Sequence, residues 1–372
     1  MRRWRSPVTG AELAAEGPHA LVAKGERWPI VDNIPYLRTG RERLIGEVFE
    51  YLDADEETGA LTLLLADADD WWNEPPPPHG ELRTLIAEID GLSLREAMAR
   101  LGFGRVGDYF AYRWSDPTYL ASLALLEAHW NAPESAFELA CGVGHYLRDL
   151  TRRGVACLGA DVVFAKCWLA RRFVAPHADY VVFDASSPWP LADERFDLVM
   201  CHDAFYFLPD QEQVAANLRD HAATDGGLAI SHLHNLDWHR EPLGPARTAA
   251  FWRGLFPDAQ VYDEKELRQA LWHQRAPRQC AWAVDAGVEA WSLFEGDIAA
   301  QPVTHGIAMP PEDAALRRNP LLGETSGDVR WPSPDYEREY ADGCLWARTD
   351  ADLPPGADPV RTRRIVDLPE RW

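Results

Sequence analysis

The chain has 372 residues, of which 47% are hydrophobic and 26% are charged, and its formal net charge at pH 7 is -22. This length and apolar content allow one large domain with appendages or two modest domains. The acidic excess argues against nucleic acid as a partner, because affinity for phosphates comes mainly from Lys and Arg. No apolar run is long enough to cross a bilayer, so we expect no membrane partner either.

The cysteines and the N-terminus indicate a compartment. Six cysteines are present, and none of them forms a C-x-x-C pair, so the sequence predicts neither a metal site nor a disulfide framework. The first residues, MRRWRSP, are basic, but no apolar segment follows them as it would in a signal peptide. We therefore expect a cytoplasmic protein.

Residues 1–40 contain short apolar runs separated by turn residues, which predicts a small β module. Two stretches, 6–10 and 27–37, resemble the zinc-ribbon modules of the methyltransferase-activator type, in which Cys-Pro-x-Cys precedes Tyr-Pro-Ile-x-Asp-Gly-Ile-Pro. Ser6 and Thr9 occupy the positions of the first cysteine pair. The resemblance therefore implies a degenerate ribbon that cannot hold zinc, with a structural or partner-docking role.

Residues 41–105 read as a linker and helical segment. The four prolines Pro75 to Pro78 favour polyproline II and predict a stiff spacer. Ser93 and Glu96 have capping-box spacing ahead of a short helix. Further on, Asp116 can cap a helix with Pro117 at its first position.

A strand, a glycine turn and a helix are predicted between residues 136 and 153. Ala136 to Ala140 is an apolar run of strand length, and His145 to Arg153 has apolar residues at helical spacing. Gly142 and Gly144 bracket one residue, so the backbone can bend sharply and present its N–H groups to a ligand. Glu138 then lies near the carboxyl end of the strand, where parallel sheets bind ligands.

The glycine pair alone leaves other interpretations open. An ordinary tight turn would have the same two glycines. A dinucleotide-binding turn would need a third glycine about three residues further on, where Leu147 stands, which weakens a nicotinamide interpretation. The downstream segments must therefore indicate which cofactor fits.

Acidic residues follow the next two predicted strands. Asp161 and Asp184 stand where these strands end, and a carboxylate there can accept hydrogen bonds from ribose hydroxyls or an adenine amino group. His202 and Asp203 follow the strand after these. The predicted elements are strands 155–160, 180–183, 196–201 and 228–232, with a helix over 211–223.

The order of these motifs resembles that of the class I S-adenosylmethionine-dependent methyltransferases. The matching features are the acid-x-x-x-Gly-x-Gly turn, Asp161, Asp184-Ala185, the Phe-Asp-Leu-Val strand with its Leu-Pro-Asp turn, and Asp-Gly-Gly-Leu-Ala-Ile. The resemblance covers about residues 106–240. It implies an α/β fold with a doubly wound, mostly parallel seven-stranded sheet, closed by antiparallel strands for which 279–284 and 288–293 are candidates after a helix over 261–271.

The resemblance also implies S-adenosylmethionine as the cofactor. The implied cofactor-binding residues are Glu138, Ala140, Cys141, Gly142, Gly144, Asp161, Val162, Asp184, Ala185 and His202.

The acceptor site is less visible, because methyl transfer needs in-line positioning and at most the removal of a proton. Candidate catalytic residues are His202, Asp203 and His232, which follow strands and, for the histidines, suit proton transfer near neutrality. Candidate substrate residues are Tyr112, Tyr206, His234 and Trp238. His232 and His234 could also form half of a metal site, but no second ligand cluster is visible, so we predict no metal.

These observations predict four segments: 1–40, 41–105, a methyltransferase domain over 106–296, and a C-terminal extension over 297–372. The expected function is methylation of an oxygen or nitrogen of a small-molecule acceptor. A non-catalytic scaffold with the same fold, or another reaction of S-adenosylmethionine, are the alternatives. The terminal segments are candidates for contact with a protein partner or a second copy of the chain.

Overall fold

The computed structural model describes residues 2–69, 74–242, 244–304, 306–325, 328–353 and 357–372. Within those ranges the chain forms fourteen strands in three sheets and twelve α-helices. The strands are β1 Trp4–Arg5, β2 Glu12–Glu16, β3 Ala20–Ala23, β4 Glu26–Val31, β5 Ile34–Pro35, β6 Ser135–Leu139, β7 Ala156–Asp161, β8 Asp179–Val182, β9 Phe196–His202, β10 Ala222–His234, β11 Gln260–Asp263, β12 Ala290–Glu295, β13 Leu316–Arg318 and β14 Ile365–Asp367.

The α-helices alternate with the strands of the large sheet in the middle of the chain. They are α1 Glu42–Leu52, α2 Glu57–Ala66, α3 His79–Glu88, α4 Leu94–Arg100, α5 Gly104–Tyr112, α6 Pro117–Ala128, α7 His145–Thr151, α8 Phe164–Leu169, α9 Gln211–Asp220, α10 Ala249–Leu255, α11 Glu264–His273 and α12 Pro334–Tyr340. None of the helices in the described ranges is long and apolar enough to span a membrane.

The large sheet has the strand order β11-β12-β10-β9-β6-β7-β8. Strands β6 to β10 pair in parallel, and β12 runs antiparallel to both of its neighbours, β10 and β11. Buried apolar clusters lie on both faces: α6, α7, α8 and α11 cover one face, and α9 and α10 cover the other. The predicted doubly wound, mostly parallel seven-stranded sheet is confirmed.

The strands that close this sheet differ from the prediction. Residues 279–284 contain no strand, and the sixth strand is instead β11, which precedes α11. The helix predicted over 261–271 begins only at Glu264, because Asp263 ends the strand and its carboxylate caps the helix by accepting from Lys265 N at 2.9 Å. The second candidate, 288–293, overlaps β12. Val261 and Tyr262 are buried in the sheet, so their apolar character belongs to a strand and not to a helix face.

The N-terminal sheet is antiparallel, in the order β1-β2-β3-β4-β5. In the turn after β1, the Ser6 hydroxyl accepts from the N–H groups of Val8 and Thr9, each at 3.1 Å. The same hydroxyl hydrogen-bonds Glu26, which also accepts from Trp28 Nε1 at 3.2 Å. Hydrogen bonds therefore join this turn to β4. The zinc-ribbon resemblance of the module stays a prediction.

The C-terminal segment packs back onto the sheet and its helices. Arg148 on α7 makes two ion-pair hydrogen bonds of 3.0 Å to the carboxylate of Asp367 on β14. Trp372 Nε1 donates to Ala111 O at 2.6 Å. The hydroxyl of Tyr336 on α12 donates to Asp116, immediately before α6, so α12 also packs against this part of the chain.

Candidate functional site

A cavity of about 680 Å³ lies at the carboxyl ends of β6, β7, β8 and β9. This volume is within the usual range for small-molecule sites. Several residues predicted for the site line it: Glu138, Ala140, Cys141, Gly142, Asp161, Val162, Asp184, Ala185, His202, Asp203 and Tyr206. Five others are not among its lining residues: Gly144, Tyr112, His232, His234 and Trp238.

The glycine turn after β6 requires residues that tolerate positive φ. Ala140, Gly142 and Gly144 have φ values of 56°, 54° and 82°. A Cβ on Gly142 would lie 2.8 Å from Cε1 of Phe110, and one on Gly144 would lie 3.1 Å from Cβ of Ala170. Gly142 therefore allows α5 to close over the turn, whereas Gly144 packs against the segment after α8 and supports the turn from outside the cavity.

Glu138 is buried at the end of β6 with its carboxylate in the cavity wall. Burial raises the pKa of this carboxyl well above its usual range, although Arg113 opposes the shift. Its Oε2 atom has no hydrogen-bond partner among the described residues. A buried, unpartnered carboxyl oxygen is suited to a ligand that brings a donor, and the amino group of the cofactor's methionine part is one.

Asp161 joins β7 to the glycine turn. Its Oδ2 accepts from Gly142 N at 3.1 Å, and its Oδ1 accepts from Val163 N at 3.0 Å. Lys166 Nζ lies 3.3 Å from Oδ1 and also lines the cavity. Asp161 therefore orders the turn in addition to presenting a carboxylate to the cavity.

Asp184 lies beyond β8 at the same edge of the sheet. Its Oδ1 accepts from the N–H and the hydroxyl of Ser186, at 2.9 and 2.7 Å, so its second oxygen stays available to a ligand. The three strand-end acids thus follow one another along one side of the cavity.

On the other side, Asp203 is the centre of a hydrogen-bonded cluster. Its Oδ2 accepts from the Tyr109 hydroxyl at 3.0 Å and lies 3.0 Å from Arg113 Nη1. Its Oδ1 accepts from the Tyr206 hydroxyl at 3.3 Å. Burial alone would raise the pKa of Asp203, but His232 and Arg113 lower it, so the carboxylate is ionised at neutral pH.

His232 does not line the cavity, but it lies close to Asp203, which does. Its Nδ1 is 2.9 Å from Glu264 Oε2, and its Nε2 is 3.8 Å from Asp203 Oδ1. Burial alone would lower the pKa of His232, but these two carboxylates raise it to about 9. His234, whose ring centroid is 4.6 Å away, has its pKa lowered to about 3 by burial and by His232.

His202 ends β9 and lines the cavity between its two sides. Its ring centroid lies 4.4 Å from that of Tyr146. Burial, together with the nearby Arg113, lowers the pKa of His202 to about 3, so the imidazole is neutral at physiological pH.

Three of the predicted substrate residues, Tyr112, His234 and Trp238, do not line the cavity. Tyr112 packs between Tyr336 and Trp372, with ring centroids 6.2 and 5.7 Å apart. Trp238 packs against His239 at 5.5 Å. Tyr206 alone of the predicted substrate residues lines the cavity.

Sequence reasoning missed Lys166 and the contribution of α12. Lys166 lies on α8, five residues beyond Asp161, and this closeness in the chain could have indicated a partner for that carboxylate. Tyr336, Glu339 and Tyr340 of α12 line the cavity, more than 130 residues beyond β9 in the chain. No local pattern in the sequence brings them there. Among the described residues, no group of three or more His, Cys, Asp or Glu side chains is arranged to hold a metal ion.

Comparisons with known proteins bear on this site. Residues 137–230 match the family model described as a methyltransferase domain. A comparison with curated proteins gives no match. Among solved structures, the chain is similar to a TehB-like methyltransferase from Corynebacterium glutamicum, with 17% identity, a TM-score of 0.36, and coverage of 47% of this chain and 86% of the other.

The chain is also similar to the CcbJ methyltransferase from Streptomyces caelestis, with 13% identity, a TM-score of 0.39, and coverage of 50% of this chain and 96% of the other. Both TM-scores are low. The fold is therefore assigned from the strand order of the large sheet, and the activity is assigned from the family match. Residues 137–230, from β6 to β10, form a methyltransferase domain.

Proposed function

We propose that this methyltransferase transfers the methyl group of S-adenosylmethionine to an oxygen or nitrogen of a small-molecule acceptor. The observation that carries the proposal is the cavity of about 680 Å³, which has strand-end acids on one side and tyrosines with Asp203 on the other. A concave site of this size suits a small molecule. The formal net charge of -22 disfavours an RNA acceptor.

On the cofactor side, three acids have complementary tasks. Asp161 accepts hydrogen bonds from the ribose hydroxyls, and Asp184 accepts from the adenine amino group. Glu138 receives the amino group of the methionine part, and its unpartnered Oε2 atom supports this assignment. When bound, the cofactor supplies an electrophilic methyl group on a sulfonium. These three residues would hold the cofactor on the side of the cavity opposite Asp203.

On the acceptor side, the walls are aromatic and polar. Tyr109 and Tyr206 hold Asp203 by their hydroxyl groups, while Tyr336 and Tyr340 extend the wall from α12. Their function is to exclude water and to align the acceptor atom, because in-line methyl transfer depends mainly on position. The C-terminal extension, 297–372, therefore forms part of the acceptor site in this proposal.

The division into segments 1–40, 41–105, 106–296 and 297–372 is part of the same proposal. The N-terminal segment forms its own antiparallel sheet and contributes Arg38 to the cavity wall, close to the end of that segment. We assign to this sheet a structural role or the docking of a protein partner, with a second copy of the chain as the alternative.

Calorimetric titration with S-adenosylmethionine, S-adenosylhomocysteine and NAD tests the cofactor assignment. We expect micromolar binding of both sulfur nucleotides and none of NAD. An acceptor screen by mass spectrometry, following a mass increase of one methyl group, then tests the reaction. Binding without methyl transfer to any acceptor would favour a scaffold, and transfer of a larger group would indicate a different reaction of the same cofactor.

A further inference from the structure

Three side chains form a hydrogen-bonded chain that ends at the cavity. His202 Nδ1 lies 2.9 Å from Ser231 Oγ, and Ser231 Oγ lies 2.6 Å from Ser122 Oγ. Ser122 Oγ donates in turn to the carbonyl oxygen of Thr118 at 2.9 Å. Both serines are buried, and Ser231 is the register partner of His202 on the neighbouring parallel strand.

The direction inferred for these hydrogen bonds follows from proton counting that starts at the Thr118 carbonyl oxygen, which can only accept. A hydroxyl group has one proton to donate. Because Ser122 donates its proton to Thr118 O, its oxygen must accept from Ser231. Ser231 has then used its own proton, so its oxygen must accept from His202 Nδ1. These hydrogen bonds of His202, Ser231 and Ser122, called the relay below, therefore place the proton of the neutral imidazole on Nδ1.

The opposite ring nitrogen is left as an acceptor. His202 Nε2 is buried and has no hydrogen-bond partner among the described residues, while the ring lines the cavity. Leaving a buried polar atom unpaired costs free energy, and such an atom in a cavity wall points to a ligand that brings a donor. The guanidinium of Arg113 donates to the Tyr146 hydroxyl at 3.1 Å. Its positive charge disfavours a second cation beside His202.

We propose that Ser231 and Ser122 are positioning residues that hold His202 in the Nδ1–H tautomer, so that Nε2 accepts a hydrogen bond from the acceptor atom to be methylated. This inference rests on the proposed function, since it assumes a methyl acceptor with an N–H or O–H group. The hydrogen bond directs a lone pair of that atom toward the methyl carbon.

In the transfer, this lone pair forms the new bond to carbon, and the carbon–sulfur bond breaks with its electron pair left on sulfur. The proton of the acceptor atom moves to Nε2 and then to water. The imidazolium is short-lived because burial and Arg113 disfavour it. The opposite tautomer would present an N–H group to the acceptor and would repel its donor.

Nitrogen-15 NMR of the histidine-labelled protein, free and with S-adenosylhomocysteine, tests the relay without knowledge of the acceptor. Two-bond proton–nitrogen correlations distinguish the two neutral tautomers, and the His202→Gln variant identifies the signal of His202. At pH 7 we expect a neutral ring with its proton on Nδ1. A proton on Nε2, or a cationic ring, would overturn the proposal.

The variants separate this role from a general effect on folding. Ser231→Ala should shift the His202 signal toward the Nε2–H tautomer, and Ser231→Thr, which keeps the hydroxyl, should restore it. Ser135→Ala is the matched control, because Ser135 lies at the amino end of β6 and its hydroxyl donates to Asp197. If Ser231→Ala does not fold, Ser122→Ala gives the same test, and an unchanged tautomer in the variant that folds overturns the relay.

Once an acceptor is known, kinetics add a second measurement. Ser231→Ala should lower kcat by about 10–100-fold, the effect usual for removing a group that orients a functional histidine, with the Kd for S-adenosylhomocysteine unchanged. An unchanged kcat would contradict the proposal. If the wild-type protein does not bind S-adenosylhomocysteine, the proposed function itself fails, whereas a wrong tautomer in a binding-competent protein refutes only the relay.

Discussion

His232 Nε2 lies 3.8 Å from Asp203 Oδ1. His232 lies near the carboxyl end of β10, and Asp203 directly follows the neighbouring strand β9. Both have left-handed backbone conformations, with φ of 63° and 52°, and His232 lies at an irregularity in the register of β10. Such conformations cost free energy for residues with a side chain and occur preferentially at functional sites. The irregularity turns His232 toward Asp203 and fixes the carboxylate at the cavity.

The first prediction concerns the stability that the protonated His232 contributes. Its pKa is about 9 in the folded chain and near 6.5 without its partners. The contribution is therefore fully present below about pH 6.5 and is lost as the pH rises through about 9. Over this window the free energy of unfolding should fall by about 3 kcal/mol on account of this group, as measured by urea unfolding at several pH values.

Glu264→Gln tests the cause of that dependence, because Glu264 provides the closest negative charge to His232. The variant should lose less stability between pH 6.5 and 9 than the wild type. Glu295→Gln is the control. Glu295 lies at the end of β12 in the same sheet and pairs with Arg219 of α9, away from His232. An identical pH dependence in the wild type and in Glu264→Gln would contradict the assignment.

The second prediction is that cofactor binding releases a proton from Glu138. Burial raises the pKa of this carboxyl well above its usual range, which favours its protonated form in the free protein, and a cationic amino group beside Oε2 would favour its ionisation. The binding enthalpy of S-adenosylhomocysteine near neutral pH should therefore depend on the ionisation enthalpy of the buffer.

Glu138→Gln should abolish this buffer dependence and weaken binding by about 1.5–3 kcal/mol, the range for a hydrogen bond to a charged group. Asp184→Asn should weaken binding but keep the buffer dependence. Calorimetry in two buffers measures both effects. Wild-type binding with no proton release would contradict a proton on Glu138 in the free protein, and an unchanged affinity in Glu138→Gln would mean that Glu138 does not receive the amino group.

The positions of the residues proposed for the cofactor could be predicted from the sequence because their determinants are local. Glu138, Gly142, Asp161 and Asp184 each lie at or just beyond the end of a strand that the sequence predicts within a residue or two, and the carboxyl ends of parallel strands converge on one edge. A short pattern therefore gives both the element and its place in the site. The four residues all line the cavity.

The acceptor half depends on contacts between distant segments, which no local pattern encodes. Asp116 was expected to cap α6, but its side chain makes no capping hydrogen bond and instead accepts from the hydroxyl of Tyr336 on α12. The sequence predicts that His232 follows its strand, but it lies within β10, and the register irregularity there turns it behind Asp203. Tertiary packing decided both positions, and a single sequence does not show it.

The third prediction concerns Asp161, whose replacement by Ala should weaken the binding of S-adenosylhomocysteine by roughly 1–3 kcal/mol. The variant removes the ribose acceptor and also releases the N–H groups of Gly142 and Val163. Asp179→Ala is the control, because Asp179 lies at the amino end of β8, opposite the end that faces the cavity, and is mostly exposed. Calorimetry should find its affinity unchanged, and an unchanged affinity in Asp161→Ala would refute the ribose assignment.

The last prediction concerns the turn of the N-terminal sheet, where Ser6 and Glu26 form a hydrogen bond. Burial opposes ionisation of Glu26, but hydrogen bonds from Ser6, Thr9 and Trp28 lower its pKa, so their stabilising effect is present above its ordinary pKa and is lost as the pH falls. Glu26→Ala should reduce the free energy of unfolding by about 1 kcal/mol, whereas Glu26→Gln, which keeps an acceptor, should lose less.

The purified protein should contain no stoichiometric zinc by elemental analysis. One zinc per chain, with a loss of stability on chelation, would show that the turn holds a metal after all.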